Sequence, residues 1–169
     1  PLVLDLLEAA GARATFFCIG RRVRAHPLLC RDIVRRGHAV ENHGDAHSPA
    51  FALWGPQRIR ADLCAAQDAI VQATGQTPRF FRATAGLRNP FLEPVLAQLD
   101  LQLAAWSRRA YDTRQGDPAV VLDRLGRRLA AGDIVKVGRT VELECLDTPG
   151  HTMCHICLRS HTAQPALFS

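Results

Sequence analysis

The feature that most limits this chain is an alternation of short, β-prone apolar runs with segments of helical apolar spacing, joined by short loops. Residues 2–10 carry helical spacing and stop at Gly11. Residues 14–19 form a continuous apolar run, as in a strand covered on both faces. A helix over 28–36 ends at Gly37, and 38–40 make a second strand. From Pro56, at a first helical turn, Ile59, Leu63, Ala66 and Ile70 recur on one face until Gly75 closes the helix near Thr74. Strand 79–82, helix 90–99, strand 101–106, a helix after Pro118 with Val121, Leu125 and Leu129 on one face, and strand 133–135 continue the pattern. Strand and helix in strict alternation predict a parallel sheet or barrel with outer helices.

Chemistry concentrates where the second strand ends, in Glu41-Asn42-His43-Gly44-Asp45-Ala46-His47-Ser48. In parallel α/β architectures the C-terminal ends of strands carry the reactive groups. Two imidazoles four residues apart can share one divalent ion, and neutral imidazole suits zinc and its first-row neighbours. A surface loop that happens to hold two histidines is the plain alternative from spacing alone.

Composition narrows the partners. The formal net charge is +5, but arginine is spread along the chain in pairs that read as solvated faces or helix ends. No basic block interleaved with aromatics points to nucleic acid. Six cysteines are too few and too scattered for a disulfide scaffold, and Cys18 and Cys64 read as buried thiols. Cys154-His155-Ile156-Cys157 has no second pair to complete a metal site. No apolar run is long enough to span a membrane, and no signal peptide is visible. His26 reads as a loop residue, His38 as a strand residue near the surface, and Asp112 as an ordinary loop residue.

Beyond residue 135 the pattern changes. Residues 141–146 alternate with period two, and 156–158 and 166–168 read as further strands without an intervening helix.

Residues 1 to about 135 resemble the polysaccharide deacetylase family, the nodulation-protein-B homology domain. The matching stretches are Gly11-Ala12-Arg13-Ala14-Thr15-Phe16-Phe17, Gly37-His38-Ala39-Val40-Glu41-Asn42-His43 with His47, Phe81-Arg82-Ala83-Thr84-Ala85-Gly86, and Gly132-Asp133-Ile134-Val135. The resemblance implies an α/β fold, a distorted (β/α) barrel, that binds a divalent metal, zinc first, and removes acetyl groups from N-acetylated sugars. It makes His43 and His47 the metal histidines, Arg82 the residue that orients the catalytic base, and Trp106 an aromatic lining the acetyl pocket. The family's Thr-Phe-Asp-Asp-Gly motif would precede a helix like 2–10, and this chain begins after it. Lys136-Val137-Gly138-Arg139 stands where a late histidine is expected, and Thr84 stands at a usual proline. The expected barrel is therefore incomplete, without its first strand, and the chain truncated and inactive, of bacterial cytoplasm or cell envelope.

The end of the chain resembles part of hydroxyacylglutathione hydrolase, of the metallo-β-lactamase superfamily, through Asp147-Thr148-Pro149-Gly150-His151-Thr152 and Pro165-Ala166-Leu167-Phe168-Ser169. By that resemblance His151 would be a metal ligand and His155 its neighbour outside the ligand set. The sequence thus reads as a chimaera, 1–135 of deacetylase type and 136–169 of hydrolase type. The alternatives to a deacetylase are a thioester hydrolase fragment and a non-catalytic globular fragment.

Overall fold

The computed structural model describes residues 2–9, 11–106, 117, 119–121, 124, 134–137, 141–147, 156–160 and 167–168. They belong to two compact units, Thr15–Ala105 and a second made of Pro1–Ala14 with Trp106–Ser169.

The second unit opens with α1 (Leu2–Ala9), whose end is turned by the Gly11 N–H donating to the Glu8 carbonyl at 3.0 Å. The first unit then runs β1 (Thr15–Cys18), α2 (Gly20–Ala25), α3 (Pro27–Arg35), β2 (Ala39–Asn42), α4 (Pro56–Thr74), β3 (Phe80–Phe81), α5 (Leu92–Gln98) and β4 (Gln102–Leu103). Its strands pair in the order β1-β2-β3-β4, all parallel, with Thr15 opposite Ala39 and Asn42 opposite Phe81. The order advances one strand at a time, without the reversal of a doubly wound sheet. The described strands of this unit form a four-stranded parallel sheet and do not close into the expected barrel.

The long helix α4 is the spine of this unit. Its Ile59, Leu63, Ala66 and Ile70 have no exposed surface, at the positions the helical period marks. Burying each isoleucine or leucine side chain here is worth roughly 1.5–3 kcal/mol. Ile59 and Leu63 pack with Phe51, Trp54, Phe81, Leu92, Val95 and Leu96 in one cluster. Pro56 sits in the first turn, where a missing N–H costs nothing. Gly75 ends the helix at φ 74°, a left-handed conformation that suits a residue without Cβ.

One helix has no counterpart in the sequence reading, and two expectations are corrected. Helix α2 carries no visible apolar period, because Val23 is its one large apolar residue; it forms against α4, and a Cβ on Gly20 would lie 2.8 Å from the Ala66 Cα. His38 is buried at 5 % exposure, edge-on to Phe16 with ring centroids 5.7 Å apart. The tight α3–β2 turn, with the His38 N–H donating to the Ile33 carbonyl, folds it inward. The strand expected through Trp106 is only Gln102–Leu103, because its neighbour β3 offers only Phe80 and Phe81 to pair with.

The strand expected at 133–135 as a continuation of the parallel pattern is β5 (Ile134–Val137), and it pairs antiparallel with β6 (Val141–Asp147). A three-residue connection permits a hairpin, whereas parallel pairing needs a crossover of a dozen residues or more. With β7 (Ile156–Ser160) and β8 (Leu167–Phe168) these strands form an antiparallel sheet in the order β5-β6-β7-β8. The helix anticipated after Pro118 is described only at 119–121 and Arg124, with the Asp117 carboxylate accepting the Ala119 N–H at 2.9 Å. Asp112, Cys154, His155 and His151 lie outside the described residues.

Candidate metal site

Strand β2 delivers its C-terminal end directly into the histidine motif. The His43 N–H donates to the Cys18 carbonyl at 3.1 Å, carrying the β1–β2 pairing one residue past the strand. From there the chain turns through Gly44, Asp45 and Ala46 to His47, whose ring centroid lies 4.8 Å from that of His43 at an interplanar angle of 63°. The sequence placed both imidazoles at one strand end, and the fold brings them into edge-to-face contact.

The state of the first imidazole follows from its partner. His43 Nδ1 is 2.7 Å from the Arg82 carbonyl oxygen, which can only accept. Nδ1 therefore carries the hydrogen, and the lone pair is left on Nε2. Fixing the tautomer through a backbone carbonyl is the usual support of a metal-ligating histidine. Burial lowers the His43 pKa from its ordinary value of 6.5, and the nearby His47 and Arg82 act in the same direction against the Arg82 carbonyl bond. The neutral form that a metal requires is favoured.

Arg82 reaches the site by its backbone as much as by its side chain. Its N–H donates to the Asn42 carbonyl at 3.0 Å, extending β3 beside β2. Its guanidinium carbon lies 4.0 Å from the centre of the Phe17 ring, and desolvation lowers its pKa from the ordinary value. The family resemblance assigns its side chain a role; the His43 bond is made by a main-chain atom, which carries no sequence signal.

Three further residues hold this region, and the motif alone does not reveal their tasks. Asn42 has no exposed surface; its side-chain oxygen accepts the Gly44 N–H at 2.8 Å and its amide donates to the Leu63 carbonyl at 3.0 Å. Glu41, also buried, accepts the Arg79 and Phe80 N–H groups on one oxygen, each at 2.8 Å, where the β2–β3 ladder has a single register pair. Desolvation raises its pKa above 4.5 despite these bonds. Asp62, on α4, accepts the Asp45 and Ala46 N–H groups.

Among the described residues no group of three or more histidine, cysteine, aspartate or glutamate side chains converges as a metal cage. The two histidines expected to take a metal, His43 and His47, lie side by side here. Trp106 belongs to the other compact unit and is 37 % exposed.

Residues 1–104 match the family model for polysaccharide deacetylase. The chain belongs to the polysaccharide deacetylase family. It is 28 % identical over 137 residues to a peptidoglycan-N-acetylglucosamine deacetylase of Bacillus cereus, across 80 % of this chain and 63 % of that protein. A family 4 carbohydrate esterase from Streptomyces lividans, solved in complex with acetate, superposes with a TM-score of 0.71 at 30 % identity, covering 76 % of this chain and 66 % of that one. A separate likeness, 84 % identity over 43 residues, is to a hydroxyacylglutathione hydrolase of Polaromonas, across 25 % of this chain and 16 % of that protein. The chain thus spans less than two thirds of the length of each of these proteins. No helix among the described residues is long and apolar enough to cross a membrane.

Proposed function

We propose that this chain carries the histidine face of a metal-dependent hydrolase that removes N-acetyl groups from amino-sugar polymers or oligosaccharides, with a divalent ion, zinc first, on His43 and His47. The observation that carries the reading is the imidazole pair, 4.8 Å apart, with the Nδ1–H of His43 committed to the Arg82 carbonyl. A bound ion would polarise the acetamide carbonyl and lower the pKa of a water beside it. The chain's own part is to present two imidazoles, the first neutral and oriented, at a strand end. The Arg82 guanidinium, stacked on Phe17, brings positive charge to the same strand end, where it can orient a carboxylate base or the substrate.

With His43 and His47 as the proposed ligands, zinc binding should be weak. Calorimetric titration of the whole chain with zinc tests this: binding that disappears in His43→Ala and in His47→Ala supports the assignment. Tight binding that survives both substitutions moves the ion elsewhere, with His151 the first alternative. The 43-residue Polaromonas likeness fits a segment of different ancestry within this chain, which we place at residues 136–169 by the motifs they carry. A thioester hydrolase reading through His151 is the second function, tested by hydrolysis of a glutathione thioester.

A further inference from the structure

We propose that Asp62 is a positioning residue that sets the separation of the two imidazoles by holding the peptide groups between them. The inference rests on reading His43 and His47 as the metal pair and adds a residue outside their motif. Each segment of the connecting turn has its own anchor. The Gly44 N–H is held by Asn42, and the Gly44 carbonyl accepts the Gly20 N–H at 2.9 Å. The next two amides both go to one carboxylate: Asp45 N–H to Asp62 Oδ2 and Ala46 N–H to Asp62 Oδ1, each at 2.9 Å.

A bidentate acceptor on consecutive amides fixes the orientation of two peptide planes, the second ending one residue before His47. His47 has φ 49°, a left-handed conformation that costs a residue with a Cβ roughly 1–3 kcal/mol. Such a conformation persists when its surroundings impose it, and here the last anchor before it is Asp62. Gly44 completes the arrangement. It has φ 73°, and a Cβ there would stand 2.6 Å from Asp62 Oδ2, so a side chain at this position would push the carboxylate off the two amides. The Arg24–Asp45 ion pair at 2.6 Å holds the Asp45 side chain and leaves its amide to Asp62.

Position and stability separate here. Asp62 is partly exposed and the Ala46 amide lies near solvent, so water can replace the lost acceptor at little cost to the fold. Water does not reproduce the fixed peptide geometry.

The test uses the whole chain with Asp62→Asn, which keeps one acceptor oxygen and loses the other, and Gly44→Ala, which attacks the same contact from the turn. The metal-free readout is the nuclear Overhauser effect between the His43 and His47 rings, recorded with ring-nitrogen shifts. Both variants should weaken the ring–ring effect at least about threefold. The nitrogen signature of Nδ1-protonated His43, which depends on the Arg82 carbonyl, should stay unchanged. In competition with a chromophoric chelator, zinc binding should weaken about tenfold or more, the usual effect of losing a group that orients a ligand. An unchanged ring–ring effect in a folded Asp62→Asn protein overturns the proposal, as does loss of the helical circular dichroism signal, which would make Asp62 a stability residue. If the wild-type chain binds no zinc while the ring–ring effect collapses in both variants, the metal reading fails and the positioning role stands.

Discussion

Asn42 offers the sharpest test of how the site is held, because both ends of its side chain are engaged and none of it is exposed. Asn42→Ala removes two hydrogen bonds, each worth about 1 kcal/mol net. It also leaves the buried Gly44 N–H without an acceptor, at about 1–3 kcal/mol, and opens a small void. The Leu63 carbonyl, within α4, is less affected because the helix ladder supplies its second partner. The total is about 3–5 kcal/mol. Asn42→Asp separates the two ends. A carboxylate still accepts from Gly44 but turns an ionised oxygen toward the Leu63 carbonyl, so at neutral pH it should be at least as destabilised as the alanine variant. It should recover on acidification, when the protonated acid donates as the amide did. Urea unfolding followed through the buried Trp54 at pH 7 and pH 5 measures all three proteins. A loss under about 1 kcal/mol in Asn42→Ala, or an aspartate variant more stable than the alanine one at pH 7, would refute the reasoning.

Glu41→Gln keeps an oxygen for both the Arg79 and Phe80 amides. Because the folded-state pKa of Glu41 is raised, ionisation lowers stability as pH rises through that value, so the neutral variant should be at least as stable as wild type at pH 7 in urea. Glu41→Ala should fall about 2–4 kcal/mol below Glu41→Gln, with hydrogen exchange accelerated at Arg79 and Phe80. The lowered pKa of His43 means the unfolded chain binds its proton first, so the stabilising effect is complete above about pH 6.5 and is lost as pH falls through the folded value. His43→Gln should flatten that part of the stability–pH curve. The Cys18 thiol, pushed up to about 12 chiefly by burial, should resist iodoacetamide at pH 8 in the folded protein and react after denaturation, read by mass spectrometry.

What the sequence determined by itself is the part that depends on neighbours along the chain. Periodicity in 56–74 marked the buried face of α4, Pro56 and Gly75 marked its ends, and the strand read at 38–40, observed as Ala39–Asn42, placed His43 at a C-terminal strand end. These signals are local: a helix or strand writes its period into consecutive residues, and a cap needs one residue type at one position. Only the tertiary structure decided the rest. It turned Ile134–Val137 into an antiparallel hairpin, formed α2 against Ala66, and buried His38 beside Phe16. It also placed Asp62 under the turn between the histidines and the Arg82 carbonyl against His43. Apart from the hairpin, these arrangements join residues 16 or more apart, often through backbone atoms that every residue shares. A main-chain carbonyl that fixes a tautomer leaves no mark on the sequence, and an aspartate on a helix face looks like any solvated one until the loop it holds is folded over it.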